Sequence, residues 1–179
     1  MKKLLMIFIV AAIAAGCSPE APPSAQPLTP VYDTDHIEIE QIDLQSIFSE
    51  RKLTMVNVWA TFCPACNYEL PVIGQLASEH GSEDFQIVGI VLDSVDEAGQ
   101  PLEHEIGVAK RMIAQARVEH RHFLPTVEIL DGFLKDVTAI PSTLFFDRNG
   151  EQVGDIIIGA RTPEKWMLEI NQRLGEIDE

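Results

Sequence analysis

Two of the three cysteines in this 179-residue chain, Cys63 and Cys66, are separated only by Pro64-Ala65. Thiols at that spacing can carry redox chemistry: a thiolate attacks a disulfide sulfur, and a second thiol beside it resolves the mixed disulfide. The same spacing fits half a zinc site or a copper(I) clip, but zinc needs two more Cys or His ligands. His120 and His122 are the clustered histidines, and a pair so spaced on a strand or loop reads as surface. The remaining cysteine, Cys17, lies far upstream, so none is left for a structural disulfide. Cys63 and Cys66 must pair with each other or with a partner protein.

The elements around the pair are arranged to make one sulfur an anion. Leu53 to Ala60 is an apolar, β-branched run that reads as a buried strand, and it empties directly into the Cys-x-x-Cys. Pro64 suits the first turn of a helix, where its fixed φ fits and its missing N–H costs nothing. That places Cys63 at a helix N-terminus, where orphan amides and the macrodipole favour a thiolate. Cys66 follows one turn later on the same face. The helix is predicted over Pro64 to His80, kinked at Pro71 and stopped at Gly81.

The string from Trp59 to Pro71, WATFCPACNYELP, resembles the thioredoxin superfamily, and most of all its TlpA/ResA-like extracytoplasmic thiol-disulfide oxidoreductases. The resemblance implies an α/β thioredoxin-like fold: a central mixed β-sheet flanked by helices, with an inserted helix of the TlpA/ResA type. It implies disulfide-containing exported client proteins as substrates and an integral-membrane thiol as electron donor. The redox-active disulfide Cys63–Cys66 would be the only redox centre, with no cofactor and no metal. A second matching element is Ala139-Ile140-Pro141-Ser142-Thr143. In the family the equivalent proline is cis and faces the dithiol, and the residue before it pairs its backbone with the client, which assigns Pro141 and Ile140 to substrate binding beside Phe62 and Pro64.

Asn57, Glu69, Phe62 and Pro64-Ala65 bear on proton handling and potency. Asn57 stands where cytoplasmic thioredoxins carry a buried aspartate. Glu69, three residues after Cys66, matches a glutamate of the ResA-like branch and is assigned to accept the resolving thiol's proton; burial would raise its pKa. Phe62 replaces the usual tryptophan, and Pro64-Ala65 lacks the proline before the second cysteine that many strongly reducing members share. Reductase over oxidase therefore rests on the resemblance.

At the N-terminus, Met1-Lys2-Lys3 precedes an apolar run from Leu4 to Ala15. As a helix that run is about 18 Å long, too short for a hydrocarbon core of roughly 30 Å, so residues 1–16 read as a secretory signal. The small residues before Cys17 resemble a lipobox, with Ala14 where leucine is usual, which implies lipidation at Cys17 and an extracytoplasmic protein anchored to a membrane. Residues 17–35, rich in proline, read as a tether, and 36–179 as one thioredoxin-like domain. Lys and Arg number 13 against 28 Asp and Glu, a formal net charge of −15. That argues against nucleic acid as a partner and against electrostatic docking on anionic lipid.

Along the domain, Ile37–Glu40 reads as an edge strand and Asp43 as the cap of a helix through Phe48. Phe85–Leu92 is a central parallel strand, Glu103–Glu119 a helix, 123–127 a short strand and 129–134 a short helix. Thr143–Phe146 and Gln152–Ile158 form a hairpin around Asn149-Gly150, and a last helix spans 162–174 with Trp166 and Ile170 inward. Two other chemistries on such a fold fit less well. A peroxidase would need Pro-x-x-x-Thr-x-x-Cys, and Thr61 stands one residue too close to Cys63; a metal-delivery module would typically carry Cys-x-x-x-Cys.

Overall fold

The computed structural model describes residues 32–82 and 84–177. The leader, Cys17 and most of the tether lie outside the described residues. The strands are β1 (Ile39–Gln41), β2 (Leu53–Trp59), β3 (Phe85–Val91), β4 (His122–Leu124), β5 (Ser142–Asp147) and β6 (Ile157–Ile158). They form one mixed sheet in the order β1-β4-β3-β2-β5-β6. The first four positions pair in parallel, β5 pairs antiparallel with β2, and β6 antiparallel with β5.

Helices cover both faces. They are α1 (Leu44–Phe48), α2 (Pro64–His80), α3 (Glu103–Ala116), α4 (Val127–Asp131) and α5 (Pro163–Ile177). A strand alternates its side chains between two faces, and β2 uses this to divide the core. Leu53, Met55 and Trp59 join the clusters under α2, α3 and α5, whereas Val56 and Val58 join the cluster under α1 and α4. Asn57 shares the first of these faces. β3 is buried along nearly its whole length, as its unbroken apolar run predicts. Burial of each large side chain in these layers contributes roughly 1.5–3 kcal/mol. Among the described residues, no helix is long and apolar enough to cross a membrane.

The local differences from the sequence reading have visible causes. α3 stops at Ala116, three residues early, because Arg117 turns left-handed (φ 55°) and the Val118 N–H donates back to the Ile113 carbonyl. That closure drops Val118 into the core. The hairpin's return strand shrinks to β6 and a bridge at Gln152. Gly154 takes φ +72° midway, and any Cβ there would run into the Arg173 guanidinium. The short helix begins at Val127, capped by Thr126, and gives way to a 3-10 turn over Phe133–Asp136. Gly81 ends α2 with φ −57°, without a left-handed turn. α2 itself continues through Pro71.

Candidate active site

β2 ends at Trp59, and after a three-residue connection the chain enters α2 with Cys63 as its N-cap. The connection is fastened from both sides. The Cys63 N–H donates to the Ala60 carbonyl at 3.2 Å. The Thr61 N–H and hydroxyl both donate to the Asp93 carboxylate, at 3.0 and 2.6 Å to Oδ2. Asp93 sits just beyond β3, so the turn before the dithiol is tied to the neighbouring strand's end.

Cys63 and Cys66 are joined in a disulfide, their Cα atoms 5.3 Å apart. Cys63 is extended (φ −92°, ψ 108°), which directs its Sγ across the open end of α2, where it accepts the Cys66 N–H at 3.1 Å. That amide is one of the helix's orphan donors, and in the reduced protein it favours a thiolate at Cys63. Cys66 is 1% exposed and Cys63 6%, so Cys63 presents the more reachable sulfur. Phe62, the residue before Cys63, is 73% exposed. The Ile140–Pro141 bond is cis. Ile140 packs against the cluster that contains both cysteines, and the Pro141 carbonyl accepts the Gly159 N–H at 2.8 Å.

Glu69 is 2% exposed. Three donors converge on its carboxylate: the Arg161 backbone N–H at 3.0 Å, the Trp166 indole N–H at 3.2 Å and the Asn57 amide at 3.3 Å. Asn57 in turn donates to Thr143 Oγ1 at 3.2 Å. Burial pushes the Glu69 pKa up, against those hydrogen bonds and the Arg161 charge, which pull it down. The absent aspartate at position 57 is thus replaced by an amide that holds a carboxylate delivered from α2.

The surface reading of the histidines is overturned. His122 is 3% exposed, and its Nδ1 accepts the Trp59 indole N–H at 3.2 Å. Its ring lies against Gly89 of β3, where a Cβ would have no room. His120 stacks on it with ring centroids 4.5 Å apart, and the His120 ring nitrogens and His122 Nε2 are buried without hydrogen-bond partners. Burial pushes the His120 pKa down to about 4. Burial first, then the His120 charge beside it, holds His122 well below its usual value. His122 is covered where its ring meets Gly89 of β3 and the Trp59 indole, and His120, just before β4, is half-buried with both ring nitrogens covered. Among the described residues, no group of three or more His, Cys, Asp or Glu could hold a metal ion.

Trp166, Arg161, Asp93 and His122 escaped the sequence reading as site residues. A buried indole N–H needs a partner, so an inward Trp166 was the one usable signal; the others are brought near by contacts across 32 residues or more.

Sheet order, flanking helices and a dithiol at a helix start together define a thioredoxin-like fold. Solved structures share it: a thioredoxin-family thiol:disulfide interchange protein from Chlorobium tepidum aligns with a TM-score of 0.60 at 23% identity, covering 74% of this chain and 86% of that one. StoA from Bacillus subtilis aligns with a TM-score of 0.52 at 20% identity, covering 65% and 81%.

The Redoxin family model matches residues 23–165, and the chain belongs to the Redoxin family. The thiol-disulfide oxidoreductase ResA of Oceanobacillus iheyensis is 28% identical over 131 residues, 72% of this chain and 60% of that protein. ResA of Halalkalibacterium halodurans is 21% identical over 119 residues, 66% and 60%. The chain therefore spans 60% of the length of these curated relatives. The TlpA/ResA-like resemblance read from the sequence is borne out.

Proposed function

We propose that this protein is a membrane-anchored, extracytoplasmic thiol-disulfide oxidoreductase that reduces disulfides in exported proteins. The observation that carries the reading is the N-capping Cys63, whose sulfur takes the Cys66 amide hydrogen bond and is the less covered of the pair. In the reduced protein the Cys63 thiolate attacks a client disulfide, forming a mixed disulfide and expelling one client thiolate. Cys66 gives its proton to Glu69 and attacks Cys63 Sγ, which expels the second client thiolate and closes the Cys63–Cys66 disulfide. Two electrons pass to the client, and its two sulfurs take up protons.

Phe62, Pro64, Ile140 and Pro141 form the surface that meets the client in this reading. An integral-membrane thiol returns the electrons, and the reaction uses no cofactor beyond the dithiol. Lipidation at Cys17, with residues 17–35 as a tether, supplies the anchor. The ResA relatives support this assignment.

Insulin reduction with dithiothreitol as electron source tests the activity. The protein with both cysteines accelerates precipitation of the insulin B chain, and Cys63→Ala abolishes the effect. No acceleration by either form contradicts the proposal.

A further inference from the structure

Arg161 reaches the buried site in two ways. Its backbone N–H donates to Glu69 Oε1 at 3.0 Å, the oxygen that also accepts the Trp166 indole. Its guanidinium lies over the Trp166 ring, 5.8 Å from Cζ to the centroid, and Nη1 pairs with Glu169 Oε1 at 3.6 Å. Arg161 Nε is buried with no hydrogen-bond partner. With its Nε unpartnered and its guanidinium over the indole that binds the carboxylate, Arg161 brings positive charge to this side of the site.

We propose that Arg161 is a positioning residue of the dithiol site, its guanidinium laid along Trp166 and held there by Glu169, so that its charge fixes the pH at which Glu69 exchanges its proton. This rests on the reading of Glu69 as proton acceptor for Cys66. The elements packed around Glu69 present Asn57 from β2, Thr143 behind it from β5 and Trp166 from α5, and Cys66 stands one turn before it on α2, all uncharged in the oxidised protein. Charge comes from Arg161, in the segment before α5, and then from Glu169 and Arg173 along α5. Arg161 favours the ionised carboxylate, consistent with its part in lowering the Glu69 pKa against burial. Glu169 opposes it by neutralising the guanidinium and adding a negative charge.

The two residues therefore act with opposite sign, which a scaffolding role does not predict. The test is a carbon-detected NMR titration of the Glu69 carboxyl in the oxidised full chain. Arg161→Gln keeps the backbone N–H but loses the charge, and the Glu69 midpoint rises by about half a pH unit or more. Glu169→Gln lowers it by a similar amount, and Arg161→Lys stays near the wild type. Midpoints that stay put, or move in the same direction in both glutamine variants, overturn the proposal. Glu169→Gln carries the test alone if Arg161→Gln does not fold. The titration needs no turnover, so a shifted midpoint in a protein that reduces no disulfide would discard the proposed function and keep this inference.

Discussion

The Trp166 indole N–H donates to Glu69 Oε1 across 3.2 Å, joining the last helix to the dithiol helix over 97 residues of sequence. A carboxylate 2% exposed is tolerated because donors meet it, and this one comes from a rigid ring that also fills the core under α5. Trp166→Phe keeps most of that packing and removes the donor. It should lower stability by about 1–2 kcal/mol in urea denaturation, and it should raise the Glu69 midpoint, because a bond to the ionised form is lost. A stability unchanged from wild type would show that the indole N–H contributes nothing.

Glu69 makes stability depend on pH with a definite sign. Its folded pKa is raised above the ordinary 4.5 by burial. The protonated carboxyl is therefore the form the fold prefers, and this contribution is complete below 4.5 and is lost as pH rises through the higher folded value. Glu69→Gln lacks that loss. The melting-temperature difference, variant minus wild type, should grow on going from pH 4 to pH 8. A difference that is flat across that range contradicts the raised pKa.

The buried histidines give the opposite slope. His120 is pushed from 6.5 to about 4, and His122 is also depressed. The unfolded chain takes up protons on them as pH falls below 6.5 while the folded chain does not, so stability is complete above 6.5 and drains away toward pH 4. His120→Leu should shallow the fall in melting temperature between pH 6.5 and 4. An identical acid slope in the variant would mean His120 is not held neutral.

Asp93 holds the turn that delivers Cys63. Asp93→Ala frees the Thr61 N–H and hydroxyl together and should cost about 1–3 kcal/mol, while Thr61→Val removes only the hydroxyl and should cost about 1 kcal/mol. Both should slow alkylation of reduced Cys63 relative to wild type, measured by iodoacetamide at fixed pH. Alkylation at the wild-type rate in Asp93→Ala would show that the clamp does not position the thiolate.

The parts legible in the sequence were those carried by local chemistry. Pro64 after Cys63, the apolar β2 and the Asp43 cap predict their elements nearly to the residue, because capping, φ restriction and periodicity act over a few positions. Glu69 is visible in the sequence as a neighbour of Cys66 on one helix face and through its match to the ResA-like branch. Its three donors arrive from β2, from the segment after β6 and from α5, and no local pattern marks a convergence set by packing. His122 misread for the same reason. Spacing assigns an exposed pair, whereas the sheet order places β4 between two parallel strands and Gly89 opens room for the ring.

The central claim is the division of labour between the two sulfurs, and trapping tests it most directly. Reduced Cys66→Ala and Cys63→Ala proteins are each given a peptide disulfide and quenched with acid, and the adducts are weighed by mass spectrometry. The structure predicts that Cys66→Ala accumulates one peptide on Cys63, and that Cys63→Ala forms little adduct because Cys66 is buried and lacks the N-cap position. Equal adducts in both variants, or a preference for Cys66, would contradict it.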